Sequence, residues 1–239
     1  MSKTLVVGDI HGNIEVVKHA LSQRTTDKVL FMGDYLDSFN RSREDQVSGL
    51  RLVLDACEDM PERYQGLIGN HELSYIMEGQ MCSGYAYETQ NLMTHLKSRV
   101  HRLLRSYVYV GDFLCTHAGV SLDLLSARGQ TVKEYLDGQE WLQVGVGRGG
   151  DAPVGGLYWC DWNREFVPVP GTPQIVGHTH YQYAEKEGFR TVALCNETSY
   201  NVDCLPQLDR LSLEHGDEAR VAIVDTALGT VVNENLFDL

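Results

Sequence analysis

Several features that mark whole classes of protein are absent from this chain of 239 residues. Its six cysteines include no CxxC pair, which argues against a zinc ribbon or a dithiol redox motif. Several of them lie in apolar runs, so we expect buried free thiols in a reducing compartment. No run reaches the roughly 20 apolar residues that a membrane span needs, and the N-terminus lacks the apolar core of a signal peptide. We therefore expect a cytoplasmic protein.

Positive charge is also scarce. The chain has 20 Lys and Arg against 33 Asp and Glu, a formal net charge of −13. Nucleic acids and anionic membranes bind to positive patches, so neither is an expected partner. An anionic substrate remains compatible with this charge, because bound divalent cations reverse its sign locally. The glycine-rich run 145–156 lacks the Gly-Lys-Ser/Thr signature, so it is not interpreted as a phosphate-binding P-loop.

The first third of the chain alternates apolar β-like runs with amphipathic helical stretches. Asn13 is the predicted N-cap of the first helix. The predicted strands are 5–7, 29–32 and 64–68, and the predicted helices are 14–21 and 43–58. Such a repeat of strand, polar loop and helix presents side chains at the carboxyl ends of strands. The sequence therefore predicts an α/β protein with its chemistry at one edge of a sheet.

The rest of the chain contains both helical and strand patterns. Residues 71–106 are predicted to be mostly helical, with a break near Gly79–Gly84, and to form a small cap near 76–106. A hairpin is predicted over 107–115, with Gly111-Asp112 as its turn. Two short helices (121–127 and 132–136) and five strands (157–159, 174–176, 190–194, 221–224 and 230–232) are predicted after it. No internal repeat or linker is evident, so we expect residues 1–239 to form one domain with two packed sheets.

Five short polar runs, most of them just after a predicted strand, carry side chains suited to metal binding. They are Gly8-Asp9-Ile10-His11, Gly33-Asp34-Tyr35-Leu36-Asp37, Gly69-Asn70-His71-Glu72, Thr116-His117-Ala118-Gly119 and Gly177-His178-Thr179-His180. Carboxylate oxygen combined with imidazole suits manganese, iron or zinc better than calcium or magnesium. Two such ions about 3.5–4 Å apart, bridged by one carboxylate, hydrolyse phosphate esters with water.

The positions of these residues suggest separate roles. Asp9 and His11 lie two apart and can reach one ion, and Asp34 can bridge two ions if its strand neighbours the first. Asn70 offers an amide oxygen as a ligand. The adjacent His71 should point elsewhere and donate a proton to the departing alkoxide. Asp37 is predicted to orient His71 by accepting a hydrogen bond.

The later histidines complete the predicted metal centre. His117 ends an apolar strand, and His178 follows another. His180 lies two residues after His178 and reaches the same ion only if the chain turns there, because alternate residues of an extended segment face opposite sides.

In this order, the five runs closely resemble the motifs of the calcineurin-like metallophosphoesterases. Within that superfamily the chain is most similar to the small prokaryotic or viral serine/threonine protein phosphatases and diadenosine tetraphosphatases. The resemblance implies a four-layer α/β/β/α sandwich with two mixed sheets and the ligand loops at one edge. It also implies His71 as proton donor and Asp37 as its partner. It implies a first metal bound by Asp9, His11, Asp34 and, as in several branches, His180, and a second bound by Asp34, Asn70, His117 and His178.

The chain departs from the protein phosphatases where those enzymes bind phosphate. The family's Asp-Arg-Gly continues here as Asp37-Ser38-Phe39, so the phosphate-gripping arginine is missing. Arg41 and Arg43 are candidate replacements nearby. Asp161 stands where a second such arginine is often found, with Arg164 as its candidate substitute.

The predicted reaction is hydrolysis of a phosphate ester by a metal-bound hydroxide, with His71 as the general acid. The cofactors are two divalent ions, Mn²⁺ in the first place and Fe or Zn as alternatives. The substrate is a phosphorylated small molecule, a nucleotide or a phosphoprotein, and the oligomeric state stays open.

Two alternatives stand beside this prediction. The first is a phosphodiesterase or dinucleoside polyphosphate hydrolase. Tyr75, Tyr85 and Tyr87 offer rings for stacking on a base, with core or surface tyrosines as the favoured interpretation. The second is a non-catalytic interaction protein that retains the metal site.

Overall fold

The computed structural model describes residues 2–77, 81–138, 155–179, 193–195, 198–203 and 220–239. In this part of the chain there are ten β-strands and seven α-helices. The strands form two mixed sheets of five strands each. None of the described helices is long and apolar enough to span a lipid bilayer.

The first sheet has the strand order β10-β9-β1-β2-β3. Its strands are β1 (Lys3–Val7), β2 (Lys28–Phe31), β3 (Tyr64–Gly66), β9 (Arg220–Asp225) and β10 (Thr230–Asn235). The first three are parallel, while β9 runs antiparallel to both β1 and β10. The crossovers between the parallel strands are α1 (Ile14–Ser22) and α2 (Arg43–Asp59). As predicted, Asn13 caps α1, where its side chain accepts a hydrogen bond from Val16 N.

The second sheet has the strand order β4-β5-β6-β8-β7. Its strands are β4 (Tyr107–Val110), β5 (Phe113–Thr116), β6 (Gln174–Val176), β7 (Ala193–Cys195) and β8 (Ser199–Asn201). The predicted hairpin is β4–β5, and β5, β6 and β8 are mutually parallel. The helices α6 (Leu122–Arg128) and α7 (Val132–Asp137) follow β5.

Alternating side chains explain why the layers stack as they do. On β1, Leu5 and Val7 are buried in the cluster that contains the apolar face of α1 and α2. Val6 points the other way and is buried in a second cluster with Cys115 and Ile175 of the other sheet. Each fully buried aliphatic side chain of this kind contributes about 1.5–3 kcal/mol. The sheets therefore pack face to face with helices outside, which confirms the predicted four-layer fold.

The segment predicted to be mostly helical, 71–106, corresponds to three short helices. They are α3 (Asn70–Ile76), α4 (Tyr87–Met93) and α5 (Lys97–Leu103). Both α4 and α5 contact α2, and Met93, Leu96 and Val100 are buried in the main core. A single domain carrying a small cap over 76–106 stays a prediction.

The structure differs from the strand predictions in two places. Residues 157–159, predicted as a strand, form turns in which the N–H groups of Trp159 and Cys160 donate to Gly156 O. Their apolar side chains are buried without a sheet, and burial alone does not distinguish the two cases. The short polar strand β8 was not predicted. Of the predicted strand 190–194 only the last two residues are described, in β7, and most of the glycine-rich run lies outside the described residues.

Candidate metal centre

The polar runs meet because the parallel strands that precede them end at the same edge. Asp9, Asp34 and Asn70 follow β1, β2 and β3, while His117 and His178 follow β5 and β6. Backbone hydrogen bonds join the loops within each sheet. His11 N donates to Asp34 O at 2.7 Å, and Gly177 N donates to His117 O at 2.6 Å. The two sheets thus contribute side chains to one site.

Several residues of this site have unusual backbone angles. Among the described residues, the non-glycine residues with positive φ are His11 (40°), Asp34 (48°), Asp37 (65°) and His178 (68°). Such conformations cost on the order of 1–3 kcal/mol each and persist where the surrounding structure enforces them. All four are predicted site residues. The surrounding structure therefore holds these residues in strained conformations that direct their side chains into the site.

Asp34 lies at the centre of the site. Its Oδ2 is 3.8 Å from His11 Nε2, 3.8 Å from His71 Nε2 and 3.4 Å from His117 Nε2. Each of these histidines has its other nitrogen, Nδ1, within 2.8–2.9 Å of an acceptor: Leu36 O, Asp37 Oδ2 and Met32 O respectively. An Nδ1–H held in this way leaves Nε2 as the atom that faces the centre.

Asn70 presents its amide oxygen to the same point. Its Oδ1 lies 3.0 Å from His117 Nε2, while its Nδ2 donates to Cys82 Sγ at 3.2 Å. The carbonyl oxygen, which is the metal-ligating atom of an amide, is therefore on the side of Asp34 and His117.

Asp9 carries a buried oxygen suited to a cation. Its Oδ2 accepts a hydrogen bond from His178 N at 2.8 Å, but Oδ1 has no hydrogen-bond partner among the described residues. Burial, followed by the negative charges of Asp203 and Asp34, raises the pKa of Asp9 well above its usual range. A buried carboxylate with an unsatisfied oxygen is costly unless a cation or proton compensates it.

The electrostatics separate the histidines into two kinds. Burial lowers the pKa of His178 to about 3, assisted by the charge of His117, and burial also lowers the pKa of His11. Neutral imidazole is the form that ligates metals. Burial, the largest single effect, opposes protonation of His71 and His117 as well. The charge of Asp34 together with hydrogen bonds, to Asp37 for His71 and to Asp34 and Met32 O for His117, nevertheless raises the pKa of both. In return, His117 and His71 hold the pKa of Asp34 well below its usual range despite its burial.

Ligand atoms gather in two groups that share Asp34. The atoms of His11, Asp34 and His71 lie within 4.8 Å of one another, as do those of Asp34, His117 and His178. One carboxylate common to two groups is the arrangement that a bridged metal pair requires. The donor set, the shared carboxylate and the unsatisfied Asp9 oxygen fit divalent metal ions.

His71 is held by a carboxylate on the side away from Asp34. Its Nδ1 lies 2.8 Å from Asp37 Oδ2, and the other oxygen of Asp37 accepts a hydrogen bond from the Tyr75 hydroxyl. This is the partnership predicted for His71 and Asp37, with a tyrosine that the sequence did not suggest.

The structure adds four residues that the sequence reasoning missed. Glu72 is fully buried and accepts hydrogen bonds from Tyr35 N, Leu36 N and Gly69 N. Glu72 belongs to the run Gly69-Asn70-His71-Glu72, so its place in that run could have marked it as a site residue. Asp203 follows the unpredicted β8, is buried, and adds negative charge near Asp9 and His178. Nothing in the sequence marked Cys82, and Tyr75 was predicted only as a ring for stacking on a base. His180 lies outside the described residues.

The three candidate arginines lie in different settings. Arg43 donates to Ser38 O at 3.1 Å, and the side chain of Arg164, 73% exposed, lies 3.9 Å from Asp161 Oδ2. Arg41 is half-buried, and a Cβ built on Gly12 would lie 3.3 Å from its Cδ, which places it beside the His11 loop.

The tyrosines proposed for stacking also differ. Tyr75 is buried, Tyr85 is half-buried and stacks on it, and Tyr87 is 69% exposed. Tyr75 is therefore unavailable to a base, and that part of the stacking alternative is wrong.

Comparisons with known proteins concern the chain as a whole rather than single residues of the site. The family model described as calcineurin-like phosphoesterase matches residues 2–182. No curated protein sequence matches the chain.

Solved structures share the fold. A cold-active protein-tyrosine phosphatase of a psychrophilic Shewanella species is similar with a TM-score of 0.65 and 14% identity, over 99% of this chain and 78% of that one. A protein serine/threonine phosphatase of Saccharomyces cerevisiae gives 0.67 and 14%, over 98% and 79%. A metallophosphoesterase of Sphaerobacter thermophilus gives 0.52 and 16%, over 98% and 87%. At such identities the likeness concerns the fold alone.

Proposed function

Because the chain belongs to the calcineurin-like phosphoesterase family and is a hydrolase of phosphate esters, we propose that it works with two divalent ions bridged by Asp34. The main support for this proposal is that Asp34 belongs to both groups of converging ligand atoms. Three imidazole Nε2 atoms lie within 3.8 Å of its Oδ2. When bound, such ions activate water and neutralise phosphoryl oxygens.

The other ligands divide between the two ions that share Asp34. Asp9 and His11 hold one ion together with Asp34, and His180 is a further candidate there. Asn70, His117 and His178 hold the other. The mixture of carboxylate, amide and imidazole favours manganese, with iron and zinc as alternatives.

His71 supplies the proton to the leaving oxygen. Its Nδ1 is engaged by Asp37, so the transferable proton sits on Nε2, which faces the centre of the site. Burial opposes protonation of His71, but Asp34 and Asp37 raise its pKa overall, which favours the protonated form that a proton donor requires.

Arg41 is the proposed phosphate-binding arginine. It lies beside Gly12 in the loop that carries His11, whereas Arg43 is bound to its own loop and Arg164 lies beside Asp161. A single arginine would give a phosphate dianion less assistance than two. A phosphomonoester is the first proposed substrate class, with phosphodiesters and dinucleoside polyphosphates as the alternative.

A substrate panel with manganese tests this proposal. Nitrophenyl phosphate, its bis ester, an alkyl phosphate, diadenosine tetraphosphate and a phosphopeptide are compared. Hydrolysis of the monoesters ahead of the others is expected. Preference for the bis ester or the dinucleotide would favour the alternative class. Bound metal with no turnover of any ester would contradict the catalytic proposal.

The variant His71→Asn tests the general acid. Loss of the donor should lower kcat about 10²–10⁴-fold for the alkyl phosphate. The effect on nitrophenyl phosphate should be much smaller, because its leaving group needs little protonation. Metal content should stay that of the parent. His19→Asn, at an exposed position of helix α1, is the control. Equal activity of His71→Asn and the parent on both esters would rule out the acid role.

A further inference from the structure

Tyr75 is a buried tyrosine whose hydroxyl touches the partner of the proposed general acid. It lies on α3, one turn after His71, and its side chain is almost inaccessible to solvent. Residues four apart on a helix lie on the same face, which brings both side chains to Asp37. The carboxylate of Asp37 is shared between them: Oδ1 accepts from the Tyr75 hydroxyl, and Oδ2 lies 2.8 Å from His71 Nδ1.

The hydroxyl of Tyr75 is itself oriented by the segment that follows α3. Ala86 N donates to it at 3.1 Å, which leaves the hydroxyl proton for Asp37. The Tyr75 ring stacks on Tyr85 with centroids 4.8 Å apart. The backbone at Gly84 is so close that a Cβ there would lie 2.9 Å from Asp37 O. Asp37 is thereby enclosed between α3 and residues 84–86.

We propose that Tyr75 is a positioning residue, which holds the Asp37 carboxylate in the plane that keeps His71 Nδ1–H bonded and His71 Nε2 aimed at the leaving group. This inference rests on the proposed role of His71. Asp37 has a positive φ and a buried side chain, so its two oxygens depend on neighbouring donors for their direction. Without Tyr75, one buried oxygen loses its donor and the carboxylate can rotate away from His71.

A purely structural role makes a different prediction. Buried tyrosines usually find some hydrogen-bond partner, and losing it lowers stability without changing chemistry. Tyr158 offers the matched control, because it is equally buried and its hydroxyl donates to Ser106 Oγ at 2.8 Å. Tyr158→Phe removes a part-buried side-chain hydrogen bond outside the residues that we place in the site.

The experiment compares Tyr75→Phe with Tyr158→Phe and His71→Asn. In Tyr75→Phe we expect kcat for the alkyl phosphate to fall about tenfold, as is typical of residues that orient a reacting group. The fall for nitrophenyl phosphate should be much smaller, and KM and metal content should match the parent. Tyr158→Phe should leave the ratio of the two kcat values unchanged.

A spectroscopic measurement does not depend on turnover. In the diamagnetic zinc-loaded protein, the His71 Nδ1 proton is identified as the downfield NMR signal that His71→Asn removes. Tyr75→Phe should shift this signal or broaden it by faster solvent exchange, while Tyr158→Phe should leave it in place.

The outcomes separate this inference from the proposed function. If His71→Asn slows the alkyl phosphate selectively but Tyr75→Phe alters neither the kcat ratio nor the signal, the positioning role is overturned and the acid role stands. If the effect of His71→Asn does not depend on the leaving group, the acid role of His71 and the positioning role of Tyr75 are both ruled out.

Discussion

At the scale of single residues, the site is defined by which atom of each side chain faces its centre. Asn70 is an example, because only its oxygen can bind a cation. The acceptor for its amide nitrogen is Cys82 Sγ, at 3.2 Å, and that thiol also contacts Ser74 Oγ at 2.9 Å. Burial raises the pKa of the Cys82 thiol to about 12, so it acts as a neutral hydrogen-bonding group.

Replacing Cys82 should therefore weaken metal binding. In Cys82→Ala the amide nitrogen of Asn70 loses its acceptor, and we expect manganese affinity to fall about tenfold at one site. Cys82→Ser keeps an acceptor and should remain close to the parent. Titration calorimetry with Mn²⁺ measures both. Cys57→Ala, a buried thiol on α2, is the control. Parent-like affinity in Cys82→Ala would show that Asn70 does not need the thiol.

Sequence reasoning identified side chains that sit directly after strands, since their position alone indicates a sheet edge. It could not identify Cys82 or Tyr75, because their roles depend on hydrogen bonds formed only after the segment 81–87 packs on α3. Asp203 was missed for a related reason: its strand, Ser199–Asn201, lacks an apolar run.

At the scale of elements, the start of α3 ties two ligand loops together. Glu72 occupies the third position of this helix and accepts hydrogen bonds from Tyr35 N and Leu36 N of the loop after β2, at 2.8 and 3.2 Å. Its other oxygen accepts from Gly69 N at 3.1 Å. One buried carboxylate thus fixes the loop of Asp34 relative to that of Asn70.

Glu72→Gln should destabilise the fold. Both oxygens of Glu72 accept hydrogen bonds, whereas the amide of glutamine has only one accepting oxygen, so at least one buried N–H loses its acceptor. We expect a loss of about 1–3 kcal/mol in the free energy of unfolding, measured by urea denaturation. Glu134→Gln is a close control, since Glu134 holds the same capping-box position on α7 but is exposed. Its cost should be clearly smaller. Equal costs would mean that Glu72 acts only as a helix cap.

Element prediction succeeded where apolar periodicity and turn residues agreed. The helix over Arg43–Asp59 and the hairpin around Gly111-Asp112 are examples. It failed at residues 157–159, where buried Leu157 and Tyr158 are apolar for reasons of packing rather than of strand formation. Which strands are neighbours, and hence which loops meet, depends on long-range pairing that local patterns do not encode.

At the scale of the whole molecule, the site spans both sheets. Asp9, Asp34 and Asn70 come from the first sheet, and His117 and His178 from the second. A cation bound by ligands from both sheets binds only the folded chain, because the unfolded chain does not hold these ligands together.

Manganese should therefore stabilise the protein. At a free concentration 100 times Kd, one site adds about 2.7 kcal/mol to the free energy of unfolding. Thermal denaturation with and without Mn²⁺ should show a higher Tm when the metal is present. Asp34→Asn, which removes the shared charge, should abolish the increase, while Asp123→Asn at an exposed position of α6 should retain it. An equal rise in Asp34→Asn would refute the bridging role.

The strand order of the first sheet has a consequence for synthesis on the ribosome. β1 lies between β2 and β9, so β1 is synthesised more than 200 residues before the strand that covers its second edge. Until residues 220–225 leave the exit tunnel, the nascent chain exposes an unpaired, apolar strand edge. Chaperone capture of stalled chains is the expected fate of this intermediate, and a premature stop codon before residue 220 should yield aggregates rather than a shortened enzyme.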